Sequence, residues 1–264
     1  MNIFVINLPS AIERRQFQEK QLSRLGLDYQ IIAATTINDI DNNTYKKHYY
    51  DWQRPLQKTE VACYFSHQKL WKKIVKDNSP ALILEDDVVL SKYTPNLLTE
   101  LEKFIDIDMV NLEVFNRKKT VARSSQPIGS HRLFYLYQDK AGAAAYVLYP
   151  SGAKKLLQCQ EKHGIALADA QLHNCSALKS YQVEPACAVQ LMFCQQYGIQ
   201  QHDIGIIPPS IEYKNTEKAR PFIFRIKRTI AQVKLGLQQL RLLVKANKRF
   251  IEMKKEDFEE REGL

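Results

Sequence analysis

Cysteine is scarce in this chain and is not arranged for cross-linking. The five cysteines among 264 residues, Cys63, Cys159, Cys175, Cys187 and Cys194, are odd in number, and no two form a C-x-x-C pair. They read as reduced thiols of a cytosolic protein, which argues against a disulfide framework or a zinc site. Also missing is any apolar run near the ~20 residues that cross a bilayer, so any membrane association is expected to be peripheral. The opening Met-Asn-Ile-Phe-Val-Ile-Asn-Leu-Pro has no basic leader and no small-residue cleavage site, and it reads as a first β-strand. Internal repeats and low-complexity segments are absent as well. What remains is an ordinary globular composition, 45% hydrophobic and 25% charged, in a chain that fits one large α/β domain or one domain with an appendage.

Positive charge is unevenly placed. Residues 1–217 hold 25 Lys/Arg against 23 Asp/Glu, residues 218–255 hold 12 against one, and the last nine hold one against five. This suggests a near-neutral domain over 1–217 and a basic tail with an acidic end over 218–264. Pro221 suits the first turn of a helix. Ile223, Ile226, Ile230, Val233, Leu237, Leu240, Val244 and Ile251 follow at spacings of three, four or seven, with Lys227, Lys234, Arg241 and Lys248 recurring every seven beside them. A basic amphipathic helix over 220–255 fits an anionic membrane surface, and a homodimeric coiled coil is the alternative. The near-neutral body and the lack of a known nucleic-acid motif argue against a nucleic-acid partner.

The most informative segment is Ala81–Leu90, where an apolar run is broken by Glu85, Asp86 and Asp87 and then resumes. Adjacent carboxylates repel and resist desolvation, so a strand end carries three of them at a cost unless a cation or a hydrogen-bond network stabilises them. Side chains alternate along a strand, so Glu85 and Asp87 are expected on one face and Asp86 on the other. Such a pair suits a hard divalent ion that keeps sites for diphosphate oxygens; an exposed acidic turn capping a helix is the alternative.

Around it the pattern predicts a strand over Ile3–Leu8, a helix opened by a capping box at Ser10–Glu13 and stopped by Gly26, and a short strand over Tyr29–Ala33. Residues 35–57 read as a long loop with local turns, a candidate wall of the site. Thr59 is expected to cap a helix over Glu60–Lys76, with Cys63, His67, Leu70 and Ile74 on one face. Strands are expected at Met109–Phe115 and Leu133–Tyr137, pairing antiparallel across a basic loop. The small residues Gly142–Ala145 lead into a strand over Tyr146–Tyr149. Helices follow from Pro150 and Ala168, and Ser180–Met192 is strand-like around Pro185. The opening order is that of a doubly wound nucleotide-binding half.

These blocks together resemble glycosyltransferase family 25 of lipooligosaccharide biosynthesis. Val5-Ile6-Asn7-Leu8 with Glu13-Arg14-Arg15 looks like the family's opening, Glu60 to His67 like its Gly-Glu-x-x-Cys-x-x-Ser-His helix, Ala81–Leu90 like its Glu-Asp-Asp strand, and Ala141–Leu157 like its small-residue strand and following helix. Thr59 stands where the family usually has Gly, and Ala168-Asp169 replaces Val-Asp. The resemblance implies a GT-A type, Rossmann-like nucleotide-sugar-binding fold, Mn²⁺ or Mg²⁺ as cofactor, and inverting transfer.

On that basis Asp87 is the expected metal ligand, with Glu85 assisting and Asp86 beside them at the donor. His202, in Gln201-His202-Asp203, is the candidate to complete the metal shell, or else a surface histidine. Arg14 or Arg15 would meet the diphosphate at the start of the first helix, the other being solvated. Asn7 would read the uracil or ribose edge, or else close a turn. His67 would orient Glu85 or the donor sugar, or else be a satisfied core histidine. Asp169 is the expected general base, with an N-cap as the alternative, and Glu113 is second choice. The implied reaction moves a hexose, galactose on family grounds, from a UDP-sugar donor to a lipooligosaccharide acceptor at the inner face of the bacterial inner membrane. A metal-dependent nucleotidyltransferase or phosphohydrolase is the rival.

Overall fold

The structure is a computed structural model that describes residues 1–139, 142–199, 222–242 and 244–259. In chain order its elements are β1 (Asn2–Asn7), α1 (Ile12–Arg24), β2 (Gln30–Ala33), α2 (Asn42–His48), α3 (Lys58–Asp77), β3 (Ala81–Glu85), β4 (Val88–Leu90), α4 (Thr94–Leu101), β5 (Met109–Asn111), β6 (Glu113–Val114), β7 (Lys119–Ile128), β8 (His131–Gln138), β9 (Ala145–Leu148), α5 (Pro150–His163), α6 (Ala168–Asn174), β10 (Ser180–Glu184), β11 (Ala188–Gln190), α7 (Leu191–Cys194), α8 (Phe222–Leu242) and β12 (Ala246–Arg249). Nine strands form one sheet in the order β12-β7-β8-β10-β5-β9-β3-β1-β2, and β4-β11-β6 form a second, small sheet. Strands β2, β1, β3, β5 and β10 run one way, and β9 is reversed between β3 and β5. This is the expected α/β, Rossmann-like architecture.

Strand alternation divides the core into two layers. Phe4, Ile6 and Ile83 point to the face covered by α3, α5 and α6, where they meet Val61, Leu70, Trp71, Leu156 and Leu172. Ile3, Val5, Leu82 and Leu84 point to the opposite face and meet Leu22, Leu97, Leu98 and Leu101 of α1 and α4. Because both faces of β1 and β3 are covered, these strands read as continuous apolar runs rather than alternating ones. The register pairs Ile6 with Glu85, so the ends of β1 and β3 lie level at the C-terminal edge of the sheet.

Several local expectations are corrected. Helix α1 starts one step past Ser10: Ala11 occupies the N-cap without a side-chain cap, while Ala11 N–H bonds Leu8 O and Asn7 Nδ2 bonds Ala11 O. Helix α3 is capped by Gln57, whose backbone N–H donates to Glu60 Oε2 at 2.8 Å, so Thr59 lies inside the helix. The segment 35–57 is not a plain loop. It holds a 3-10 turn and α2, and Asp41 caps α2 by accepting the N–H groups of Asn43 and Thr44. Met109–Phe115 breaks at Leu112 into β5 and β6, which serve different sheets, and the basic segment after it contains the edge-side strand β7. Strand β8 pairs with β7 and β10 and not with β5.

The largest correction concerns the tail, which is not one helix. Helix α8 ends at Leu242, and β12 then pairs antiparallel with β7, so residues 246–249 complete the nine-stranded sheet. Ile251, assigned above to the amphipathic stripe, is instead buried with Phe258 against Val121, Leu136 and Cys194. At its other end α8 is docked by Phe224, stacked on Tyr50 at 5.6 Å, and by Lys227 Nζ donating to Asp51 O.

Candidate active site

At the end of β3 the chain turns sharply through Asp86 and Asp87 before β4, and α1 holds that turn from one side. Asp86 is buried, accepting from Asn7 Nδ2 at 2.8 Å and Arg14 NH1 at 3.0 Å. Gln18 donates to Val88 O at 2.7 Å, and Gln21 both donates to Val88 O and accepts from Leu90 N–H. The buried polar stripe Arg14, Gln18, Gln21, at helical spacing, is a clamp for the acidic turn. Burial pushes the Asp86 carboxyl up, against the pull of Arg14 and Asn7.

Asp87 has a different environment. Its backbone carbonyl accepts from Leu191 N–H, and its Oδ2 lies 3.5 Å from Arg14. Its Oδ1 is buried with no hydrogen-bond partner, a costly state for a carboxylate oxygen unless a cation completes it. Burial and then the neighbouring Glu85 charge push the Asp87 carboxyl up to about 7, with Arg14 opposing. The residues therefore fit a divalent ion: a carboxylate with an unsatisfied inner oxygen, beside a second one, at the C-terminal edge of the sheet.

On the other side α3 reaches Glu85. Trp71 Nε1–H donates to Tyr146 Oη at 2.9 Å, Tyr146 Oη lies 3.0 Å from His67 Nδ1, and His67 Nε2 lies 3.3 Å from Glu85 Oε1. Tryptophan can only donate, so the tyrosine proton is free to point at Nδ1 and the Nε2 proton at Glu85. His67 is 1% exposed, and Tyr146 is fully buried and stacked on it. The chain Trp71–Tyr146–His67–Glu85 fixes the direction of a carboxylate that is otherwise partly open to solvent.

The floor is made by the small-residue segment. Gly142 has φ +114, and a Cβ there would come within 2.7 Å of Asn111 Nδ2, which donates to Gly142 O. Ala144 N–H donates to Glu113 Oε2, and its carbonyl accepts from Glu85 N–H. Glu113 is fully buried and also accepts from Gln190 Nε2; burial pushes it up to about 8 despite Lys119 nearby. Lys119, itself buried, reaches Asn111 Oδ1, Glu113 O, Gln182 Oε1 and Asp139. Asp169 is the second residue of α6, whose N-cap is Leu167, so it is not the cap. Its Oδ1 accepts from Ala170 N–H; burial raises its pKa, the Ala170 hydrogen bond opposes that, and the neighbouring Glu85 and Asp139 charges add to the rise.

A profile of the family described as "Glycosyltransferase family 25 (LPS biosynthesis protein)" matches residues 1–171. The chain belongs to glycosyltransferase family 25. It is thus a glycosyltransferase, as the sequence blocks implied. The family 25 chain is 26% identical over 247 residues to the lipooligosaccharide biosynthesis protein lic2B of Haemophilus influenzae, with 89% of each chain covered. It is 30% identical over 158 residues to the lacto-N-neotetraose biosynthesis glycosyltransferase LgtE of Neisseria meningitidis, covering 56% of each. To procollagen galactosyltransferase 1-A of Xenopus laevis it is 27% identical, over 60% of this chain and 28% of that one. Among solved structures, a glycosyltransferase involved in glycosylation of the major capsid of PBCV-1 aligns at TM-score 0.37 and 12% identity, over 72% of this chain and 91% of that one.

Of the residues expected from sequence, Asn7, Arg14, His67, Glu85, Asp86, Asp87 and Asp169 come together around this edge. Asn7 and Arg14 both reach Asp86, and Arg14 also lies 3.5 Å from Asp87. Arg15 is apart, exposed and paired with Glu19. Glu113 is sealed in the floor and cannot meet an acceptor hydroxyl. His202 lies outside the described residues. Sequence reading passed over Gln18, Gln21, Trp71, Lys119, Asp139 and Tyr146; the i, i+3/i+4 spacing of Arg14, Gln18 and Gln21 was the available signal for the clamp.

Proposed function

We propose that the protein is a metal-dependent, inverting glycosyltransferase that moves galactose from UDP-galactose onto lipooligosaccharide. The observation that carries the metal-dependent part is the unpartnered, buried Oδ1 of Asp87 beside Glu85. Mn²⁺ or Mg²⁺ held by Asp87 and Glu85 would supply Lewis-acid neutralisation of the departing diphosphate. The chain's own residues do the rest. The α1 clamp keeps Asp86 and the turn rigid, so Asp87 keeps its place beside Glu85. His67 fixes Glu85. Asp169, with Oδ1 tied to Ala170 N–H, has Oδ2 left to take the acceptor hydroxyl's proton as that oxygen attacks the anomeric carbon and the bond to diphosphate breaks. Glu113 and Asn111 hold the floor close enough for the donor to lie against backbone.

Galactose is supported by the galactosyltransferase names among the relatives, and the lipooligosaccharide acceptor by the Haemophilus relative. The exposed stripe of α8, with Ile230 50%, Val233 57% and Leu240 66% accessible beside Arg225 and Arg228, suits an anionic membrane surface carrying that acceptor. No helix among the described residues is long and apolar enough to cross a membrane. A donor screen with Mn²⁺, following UDP release and product identity, tests the reading. A glycoside with UDP supports it; a sugar phosphate would replace it with the nucleotidyltransferase or phosphohydrolase reading. Replacing Ile230, Val233 and Leu240 with Ser should abolish sedimentation with anionic vesicles while leaving transfer to a short soluble acceptor. Unchanged sedimentation would remove the membrane part alone.

A further inference from the structure

The α3 side of the acidic turn brings three kinds of metal ligand to one place. Cys63 and His67 stand four residues apart on α3 and so lie one above the other on the same face. Glu85 meets them from the end of β3, and the Cys63 thiol, a His67 ring nitrogen and a Glu85 oxygen all lie within 4.8 Å of one another. We propose that this trio is a binding site for a thiophilic divalent ion, zinc being the type case, that competes with the hard-ion site for Glu85. The lack of C-x-x-C pairs, read above as an argument against zinc, does not bear on a site that draws one ligand from each of three residue types.

The chemistry separates the two ions. Thiolate and imidazole favour zinc, whereas manganese and magnesium are held by carboxylate and phosphate oxygens. Tetrahedral zinc spaces its ligand atoms roughly 3.3 to 3.8 Å apart. Glu85 Oε1 already stands 3.3 Å from His67 Nε2, so the closure that remains within the 4.8 Å bound falls to a rotation of the Cys63 side chain. Glu85 is 31% exposed, which gives an ion its entry and a water its fourth position. His67 already has an outer partner of the kind that supports metal-bound histidines, Tyr146 Oη on Nδ1, with Trp71 behind it. Binding releases the Cys63 thiol proton to solvent. The His67 proton moves from Nε2 to Nδ1 and is donated to Tyr146 Oη, whose own hydroxyl proton turns away from the ring and leaves that oxygen accepting from both Trp71 and His67.

Zinc uptake itself does not depend on the transfer reading; its consequence, inhibition of transfer by occupying Glu85 and His67, does. The test uses the full chain, reduced and stripped of metal, without donor, acceptor or manganese. Zn²⁺ is titrated against a chelating indicator, and Co²⁺ is added in a parallel sample. The expected result is one zinc per chain, bound at least about 100-fold more weakly by Cys63→Ser, and a thiolate-to-cobalt absorption band that Cys63→Ser lacks. Cys63→Ala serves in its place if the serine variant melts early. Equal zinc affinity in wild type and variant, or cobalt bound without the thiolate band, would overturn the site. In the UDP-release assay zinc should inhibit wild type, and the residual activity of the variant should resist it; zinc-insensitive wild type would overturn the competition. Failure to release UDP from any donor would count against the transfer reading and leave the zinc result standing.

Discussion

Asp86 and Asp87 are neighbours of identical chemistry, both held by the same turn, yet their surroundings could hardly differ more. Asp86 has a partner on each oxygen, Asn7 on one and Arg14 on the other. Asp87 has a buried oxygen with none. The contrast separates a carboxylate that builds the site from one the site presents. Satisfied groups contribute rigidity, and the orphan is the oxygen at which the proposed ion would bind.

Substitutions at the two positions should have effects of different kinds. The largest is expected for Asp87→Asn, which removes a ligand charge at constant volume. Turnover with Mn²⁺ should fall about 1000-fold, equivalent to ~4 kcal/mol of barrier, while the melting temperature holds or rises because a buried charge is gone. Steady-state kinetics beside a thermal melt checks both halves, and activity that survives EDTA as well as this change would refute the metal assignment. Arg14→Met attacks the other aspartate: leaving Asp86 buried without its cation should cost about 3–5 kcal/mol of stability in a denaturant titration. A loss below 1 kcal/mol would mean that the clamp is dispensable.

A smaller effect, visible mainly through pH, is expected from the floor. Glu113 is raised from the ordinary 4.5 to about 8 by burial. Its neutral form is the one the fold favours, so the stability it contributes is present below pH 4.5 and is lost as pH rises through about 8. Glu113→Gln has no charge to bury and should flatten the fall in melting temperature between pH 5 and 8, measured in chelator. An unchanged slope would show that Glu113 is ionised at little cost in the folded protein.

The acidic turn, the α3 face bearing His67 and the α/β order were legible because each interrupts or repeats a hydrophobic period, and periodicity survives translation into structure. What escaped had no such mark. Gln18 and Gln21 on α1 look like a solvated face, since glutamine says nothing about whether water or a buried carbonyl is its partner. Lys119 and Asp139 are 20 residues apart in sequence and meet only because β7 and β8 form a hairpin. Both β7 and β12 are polar enough to pass for loop and tail, as strands near a sheet edge often are. Ile251 kept the helical spacing of the stripe after the helix itself had ended.

Strand β12 changes what α8 can do. A chain cut near Thr216 would strip β7 of its neighbour and take Ile251 and Phe258 out of the core, so α8 is not a detachable appendage. It is a span fastened at both ends, by Phe224 on Tyr50 and by the sheet beyond Leu242. A helix on a free tether would leave the enzyme tumbling wherever it landed. One fixed at two points sets the attitude of the whole body, so the plane in which the stripe lies also sets the angle at which the acidic turn meets whatever approaches along that plane.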